Sequence, residues 1–240
     1  MKTKYNIVSS DALLITDIQK DFLPGGPLAI DNGDEIVPVL NGYARLFKNA
    51  NACVFASRDW HPANHISFKD QGGPWPPHCV QDTEGAKFSS NLKLPADVIV
   101  MSKATDPNHE SYSVFDGTTF DNELRMRGVK RLFIGGLATD YCVVNTVLDA
   151  RKLGYDIVVL VDATLGINVK PGDVDRAIEA MLKVGAEQAT NDDFPDGIDA
   201  LPIEVAEPDA MEQKPAVRAA VKKKARMRPR GSSKRIRTEG

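Results

Sequence analysis

The stretch that decides the fold is Arg131-Leu132-Phe133-Ile134-Gly135-Gly136-Leu137-Ala138-Thr139-Asp140-Tyr141-Cys142. Its first four residues form a short, largely apolar run, which is typical of a buried parallel strand. Two glycines follow, and apolar residues then recur at helical spacing as far as Leu153. A strand that passes through a glycine turn into a helix is the repeating unit of an alternating fold, so we expect a parallel sheet.

Four more apolar segments have the same character. They are short, they are β-branched or bounded by Gly, Pro, Asp or Asn, and they cover residues 12–16, 52–57, 98–101 and 156–161. Helical periodicity occupies residues 34–50, 141–153 and 174–184. The predicted fold class is α/β, with a doubly wound, mostly parallel sheet of about six strands and helices on both faces.

The two ends of the chain differ in composition. With 240 residues, 42% of them hydrophobic, the chain can bury a full core. Residues 214–240 hold eleven Lys or Arg and one Glu, which leaves 19 basic and 32 acidic side chains in residues 1–213. We predict one domain over residues 1–203 and a basic, disordered tail over residues 204–240, because like charges repel and the tail has little apolar surface to bury.

Composition also predicts location and partners. There is no run of eighteen apolar residues and no apolar stretch near the N-terminus, so we expect a cytoplasmic protein without a membrane partner. Three widely spaced cysteines, an odd number, favour reduced thiols. The basic tail suggests nucleic acid only weakly, since a solvated extension without function explains it more simply.

Polar residues that could take part in catalysis follow the predicted strands. Asp17 ends the first strand, Asp59 the second and Lys103 the third, while Cys142 lies in the turn after the fourth. Ligand chemistry in doubly wound sheets gathers at these strand ends. An acid, a cation and a thiol there supply a base, a charge and a nucleophile, and the start of a helix favours the thiolate. Taken singly, these residues also fit a cap, a solvent-facing lysine and a core cysteine.

A second group of residues has the composition of a metal site. Asp59 and His61 lie two residues apart, so in an extended segment they point to the same side, and His65 and His78 follow. A set of Asp and two His suits a divalent metal, with zinc as the first expectation and iron or manganese as alternatives. All four histidines of the chain fall within residues 61–109. That clustering favours a metal over histidines that only hydrogen-bond in a loop.

Five motifs occur in order along residues 14–143. They are Leu14-Ile15-Thr16-Asp17-Ile18-Gln19-Lys20-Asp21-Phe22, Ser57-Arg58-Asp59-Trp60-His61-Pro62-Ala63-Asn64-His65-Ile66-Ser67-Phe68, Trp75-Pro76-Pro77-His78-Cys79-Val80, Lys103-Ala104-Thr105-Asp106 and Gly136-Leu137-Ala138-Thr139-Asp140-Tyr141-Cys142-Val143. Together they resemble the nicotinamidase branch of the isochorismatase-like cysteine hydrolase superfamily.

The resemblance implies a role for each residue. Asp17 would be the base, Lys103 its charge partner and Cys142 the nucleophile. The backbone amides of Ala138 and Cys142 would bind the oxyanion, with a cis peptide bond between Ala138 and Thr139. The implied reaction is hydrolysis of nicotinamide to nicotinate and ammonia through a cysteine thioester, in NAD salvage, without an organic cofactor.

The resemblance also implies a metal site and a pocket. Asp59, His61 and His78 would bind the ion, whereas the family leaves His65 open as a ligand or a neighbour. The implied walls of the substrate pocket are Phe22, Leu28, Trp75 and Tyr112. The expected partners are a small-molecule amide and further copies of the same chain.

Two other functions stay open at this stage. Another amidase of the superfamily would act on a carbamoyl amine, but such relatives commonly lack the metal residues, so His61 and His78 favour nicotinamide. A protein of a different class would associate with nucleic acid through the basic tail.

Overall fold

A computed structural model describes residues 4–195 and residue 198. Six strands within that part of the chain form one sheet: β1 (Asp11–Thr16), β2 (Cys53–Asp59), β3 (Ile99–Lys103), β4 (Arg131–Leu137), β5 (Asp156–Leu165) and β6 (Glu187–Ala189). Their order is β3-β2-β1-β4-β5-β6, and every neighbouring pair is parallel. The predicted fold class is therefore confirmed. The predicted tail, residues 204–240, lies outside the described residues, so the domain boundary stays a prediction.

Helices cover both faces of the sheet. They are α1 (Val37–Asn49), α2 (Phe120–Met126), α3 (Val144–Lys152) and α4 (Asp173–Lys183). The predicted helical segments 34–50 and 141–153 contain α1 and α3, and the segment 174–184 matches α4 except that the helix begins one residue earlier, at Asp173. Among the helices of the described chain, none has the length and apolar character needed to cross a membrane.

The sequence assigned no residue range to α2 or to β6, although about six strands were expected. Helix α2 has seven residues and only two buried apolar side chains, Phe120 and Leu124. Its apolar pattern therefore extends over a single turn, which is too short to predict a helix. Strand β6 has three residues, of which only Ala189 is buried. Both elements are stabilised by the rest of the core rather than by a local pattern.

Alternation along the strands divides the core into two layers. In β1, Leu13 and Ile15 join the cluster that includes the buried face of α1, whereas Ala12 and Leu14 join the cluster of α2, α3 and α4. Both sets are fully buried because the sheet is covered on each side.

Strand β4 comes unusually close to β1 at Gly136. A Cβ atom at this position would lie 2.1 Å from the carbonyl oxygen of Thr16, and the backbone φ is +117°, so only glycine fits. The register between β4 and β5 shifts between Ile134 and Gly136. The irregularity redirects β4 into the turn that carries Cys142.

The aromatic contacts of Phe133 generate a stability prediction. Its ring packs edge-on against Phe47 and Tyr5, with ring centroids 5.0 and 5.5 Å away, and it is fully buried. We expect Phe133→Ala to lower the free energy of unfolding by about 3–5 kcal/mol, because it leaves a cavity. Urea denaturation followed by circular dichroism measures this. Met126→Ala is the control, since Met126 is 71% exposed; equal losses in both variants would contradict the proposed core.

Candidate active site

Three neighbouring strands bring their terminal residues to one edge of the sheet. Asp59 and Lys103 are the last residues of β2 and β3 and are paired in register. Asp17 follows β1 directly; its amide donates to the Ser57 carbonyl at 3.2 Å, and its φ of +52° turns the chain out of the sheet. The three side chains consequently meet beyond the carboxyl ends of the strands.

Lys103 is the centre of the group. Its ammonium is fully buried, lies 3.0 Å from Asp17 Oδ2 and donates to Asp59 Oδ1. Its Nζ also lies 3.3 Å from Cys142 Sγ and 3.4 Å from the Ser111 carbonyl oxygen. A buried ammonium is tolerated when anions and acceptors surround it, as here. The structure thus brings Asp17, Lys103 and Cys142 within contact distance of one another.

Asp17 has an environment that favours its protonated form. Its Oδ1 accepts a hydrogen bond from the Ser57 hydroxyl at 2.6 Å, while its Oδ2 faces Lys103 and accepts no well-directed hydrogen bond. Burial raises the pKa of the Asp17 carboxyl; Lys103 opposes this shift and the charge of Asp59 adds to it, so that the pKa stays above its usual range. A carboxylate of this kind takes up a proton readily.

The environment of Cys142 favours its protonated thiol. Burial raises the pKa of the Cys142 thiol well above its usual range; Lys103 opposes the shift, while Asp17 and Asp59 increase it. The expectation that the helix start would favour a thiolate is therefore wrong. The main reason is the burial of the thiol, and Sγ also lies within 4.8 Å of an oxygen from each of two buried carboxylates.

The turn that carries Cys142 joins β4 to α3. It is a π-helical turn, Thr139–Val143, and the carbonyl of Ala138 accepts hydrogen bonds from the amides of Tyr141 and Val143, both at 3.1 Å. The predicted cis bond between Ala138 and Thr139 is wrong, because the cis bond joins Leu137 to Ala138. A helical turn requires trans peptides, and this turn already begins at Thr139. The oxyanion role of the Ala138 and Cys142 amides stays a prediction.

Asp59, His61 and His78 form the second group. One ligand atom from each can be chosen so that all three lie within 4.8 Å of one another, and all three residues are buried. His61 Nδ1 lies 3.0 Å from the His78 carbonyl oxygen, and His78 Nδ1 lies 2.8 Å from that of Pro76. Each Nδ1 therefore carries the proton, which leaves the lone pair of Nε2 for an ion.

The charges of this group suit a divalent cation. Burial lowers the pKa of His61 to about 4, despite the opposing charge of Asp59, so the ring is neutral as a ligand must be. Burial raises the pKa of Asp59, but the nearby Lys103 and His61 outweigh it and hold that pKa below its usual range. A carboxylate with two imidazoles is a donor set that fits zinc and similar ions.

His65 lies beside this group and uses both ring nitrogens in hydrogen bonds. Nδ1 contacts the Ser67 hydroxyl at 2.7 Å, and Nε2 contacts the His109 carbonyl at 3.1 Å. Its ring centroid is 4.4 Å from that of His61. His65 can also be grouped with His61 and Glu110 by distance. Because Nε2 donates to the His109 carbonyl and Nδ1 contacts Ser67, both ring nitrogens have partners in this arrangement, and the role of His65 as a ligand stays a prediction.

Aromatic side chains surround the two groups. The Phe22 ring lies 5.4 Å from that of His78. Trp75 Nε1 donates to the Tyr112 hydroxyl at 3.0 Å, and the Tyr141 ring contacts both Trp75 and Tyr112, with centroids 5.1 and 5.4 Å away. The wall formed by Trp75, Tyr112 and Tyr141 is called the aromatic wall below. Leu28 is half-buried and packs against the core layer of α1, so its place in a pocket stays a prediction.

Sequence reasoning missed two residues of the site. Tyr141 completes the aromatic wall, and its position next to Cys142 was the available signal. Ser57 fixes the Asp17 carboxylate, and its signal was its place two residues before Asp59 on the same strand.

Comparison with known proteins assigns the family. The isochorismatase domain profile matches residues 11–193, which is more than half of the chain. The chain belongs to this family. Similar family members include the nicotinamidase of Escherichia coli (strain K12), which is 40% identical over 204 residues, or 76% of this chain and 96% of that protein.

Solved structures agree with the family assignment. The pyrazinamidase of Pyrococcus horikoshii in complex with zinc is 50% identical, with a TM-score of 0.73 over 75% of this chain and 99% of that one. The PnC1 protein from L. infantum in complex with nicotinate is 33% identical, with a TM-score of 0.72 over 79% of this chain and 98% of that one. The likeness spans nearly the whole of both solved chains.

Removal of the Lys103 charge should expose how the carboxylates depend on it. We expect Lys103→Met to lower the free energy of unfolding by about 3–5 kcal/mol, because Asp17 and Asp59 are left as buried anions. Adding Asp17→Asn should recover part of this loss, so that the double variant costs less than the sum of the two single variants. Urea denaturation of the four proteins gives the coupling energy, and strictly additive losses would contradict the buried cluster.

Proposed function

We propose that this chain is a nicotinamidase, which hydrolyses nicotinamide to nicotinate and ammonia through a thioester on Cys142. The observation that carries the proposal is the buried cluster of Asp17, Lys103 and Cys142. Asp59 lies close to Asp17 and Cys142 and also belongs to the group with His61 and His78. The E. coli relative named as a nicotinamidase and the L. infantum structure with nicotinate support the substrate.

The first chemical step forms the thioester. Asp17 takes the proton of the Cys142 thiol, and the sulfur attacks the carboxamide carbon as the carbonyl electrons move to oxygen. Lys103 contacts both Asp17 and Cys142, so its charge offsets the negative charge that moves from carboxylate to sulfur. The amides of Ala138 and Cys142 are the proposed donors to the oxyanion.

The later steps release both products. Protonated Asp17 donates its proton to the nitrogen as the carbon–nitrogen bond breaks, so that ammonia leaves and the acyl group stays on sulfur. Asp17, again a carboxylate, then takes a proton from water as the water oxygen attacks the thioester carbon. The carbon–sulfur bond breaks, Cys142 regains a proton, and nicotinate leaves. The raised pKa of Asp17 suits a group that both accepts and donates the same proton.

Asp59, His61 and His78 are the proposed ligands of a divalent ion, and zinc is favoured because the P. horikoshii relative was solved with it. When bound, such an ion supplies a Lewis acid for the pyridine nitrogen of the substrate. Phe22 and the aromatic wall are the proposed surfaces against the ring. Leu28 is proposed as a further wall.

The wider biological context extends the proposal. Nicotinate is the product that NAD salvage consumes. We also expect a cytoplasmic location and assembly into homo-oligomers. The carbamoyl-amine alternative is less favoured because it gives no reason for the buried group of Asp59, His61 and His78. Nucleic-acid binding by residues 214–240 remains a prediction that rests only on their positive charge.

Replacement of the nucleophile tests the reaction. We expect Cys142→Ala to reduce ammonia release from nicotinamide by several orders of magnitude while the fold survives, because the variant lacks the sulfur that contacts Lys103 and forms the thioester. Cys53→Ala is the matched control, since Cys53 is a half-buried thiol at the start of β2. Ammonia release is measured for nicotinamide, pyrazinamide and a carbamoyl amine.

Two results would count against the proposal. Comparable turnover by Cys142→Ala would remove the nucleophile assignment. Faster wild-type turnover of the carbamoyl amine than of nicotinamide would favour the rival amidase.

Removal of a proposed ligand tests the metal. We expect His61→Ala to lower kcat/KM for nicotinamide by at least about 10-fold, with KM rising, because the ring nitrogen of the substrate loses its partner. Treatment of the wild type with a chelator should act in the same way, and added zinc should restore it. His109→Ala is the control, because the His109 side chain is exposed. Normal turnover by the metal-free wild type would refute the metal site.

A further inference from the structure

Gln19 is a buried amide that the proposed reaction does not use. Its side chain is fully buried and makes three short hydrogen bonds. Oε1 accepts from the Asp59 amide at 2.7 Å, and Nε2 donates to the Asp59 carbonyl at 2.7 Å and to the Ala86 carbonyl at 2.8 Å. One side chain therefore bonds both backbone groups of a residue that bears a site carboxylate.

The position of these bonds explains why a side chain is needed. β1 pairs with β2 as far as Thr16 and Ser57, and the Asp17 amide adds one last bond to Ser57. Beyond that point the backbone of β1 has turned away, while β2 continues to Asp59, which pairs with β3 on its other side. The Gln19 amide takes the place of the missing strand and satisfies the N–H and C=O of Asp59.

The same amide links Asp59 to the segment that carries His78. Besides the bond to Ala86, Lys20 and Asp21 donate backbone hydrogen bonds to Lys87 and Gly85 at 2.9 and 3.0 Å. The Asp21 carboxylate accepts from the amide of Cys79, next to His78, at 2.7 Å. The turn after β1 thus holds the strand end and the loop that supply two of the three proposed metal ligands.

We propose that Gln19 is a positioning residue for the metal site: its hydrogen bonds to the Asp59 backbone fix the carboxylate that contacts Lys103 and would serve as a ligand of the ion. This inference rests on the proposed metal site. Replacement of a residue that orients a metal ligand in this way typically lowers metal affinity about 10- to 100-fold.

The test measures zinc binding without substrate. Gln19→Leu removes all three hydrogen bonds, and Gln19→Glu keeps the acceptor for the Asp59 amide but turns a carboxylate oxygen towards two carbonyls. Asn41→Ala is the matched control. The Asn41 side chain also hydrogen-bonds a backbone segment at two points, Asn91 and Lys93, but that segment supplies no site residue. Competition with a chromophoric chelator gives the dissociation constant for zinc, and the visible spectrum of the cobalt form reports on ligand geometry.

We expect zinc affinity to fall about 10- to 100-fold in both Gln19 variants and to stay within about 3-fold of the wild type in Asn41→Ala. The cobalt spectrum should change in the Gln19 variants alone. Unchanged zinc affinity and spectrum in a folded Gln19 variant would overturn the inference while leaving the proposed function intact.

Two further outcomes would also rule out the role of Gln19. If neither Gln19 variant folds while Asn41→Ala does, the Gln19 hydrogen bonds serve folding and the inference is wrong. If the wild type binds no zinc or cobalt, the proposed metal site fails, and the inference fails with it.

Discussion

The buried ammonium of Lys103 is the interaction on which the rest of the site depends. A charge removed from water must be matched by anions and acceptors at contact distance, and here Asp17, Asp59, Cys142 and the Ser111 carbonyl provide them. The first three come from the ends of β1 and β2 and from the turn after β4. Only a sheet with β1 between β2 and β4 brings those ends together. The strand order is therefore a condition of the chemistry.

The two carboxylates beside Lys103 are separated in pKa by their other neighbours. Asp17 is buried close to Asp59 and has its pKa raised, whereas Asp59 also faces His61 and His78 and has its pKa lowered. Two like groups in one site acquire different roles in this way. Asp17 suits proton transfer, and Asp59 remains the anion that Lys103 and a cation require.

The long segment between β2 and β3 is organised by the turn that follows β1. It contains little regular structure, but isolated bridges pair Gln19 with Phe88, His61 with Val80 and Phe68 with Trp75. The first bridge joins the segment to the turn after β1, and the other two lie within the segment and involve His61 and Trp75. Long loops in compact domains are commonly functional, and here the reason is that the loop supplies side chains which the strands cannot.

The sequence by itself determined the fold class, five of the six described strands, three of the four described helices and the residues at the strand ends, because apolar periodicity and motif spacing are local properties of the chain. Tertiary structure alone decided the rest. Helix α2 depends on core contacts, the cis bond falls at Leu137–Ala138, and the ring nitrogens of His65 are engaged by the Ser67 hydroxyl and the His109 carbonyl. The raised pKa of Cys142 and the hydrogen bonds of Gln19 to Asp59 also lay beyond the sequence. Burial, charge proximity and hydrogen-bond partners join residues far apart in the chain, so no local pattern encodes them.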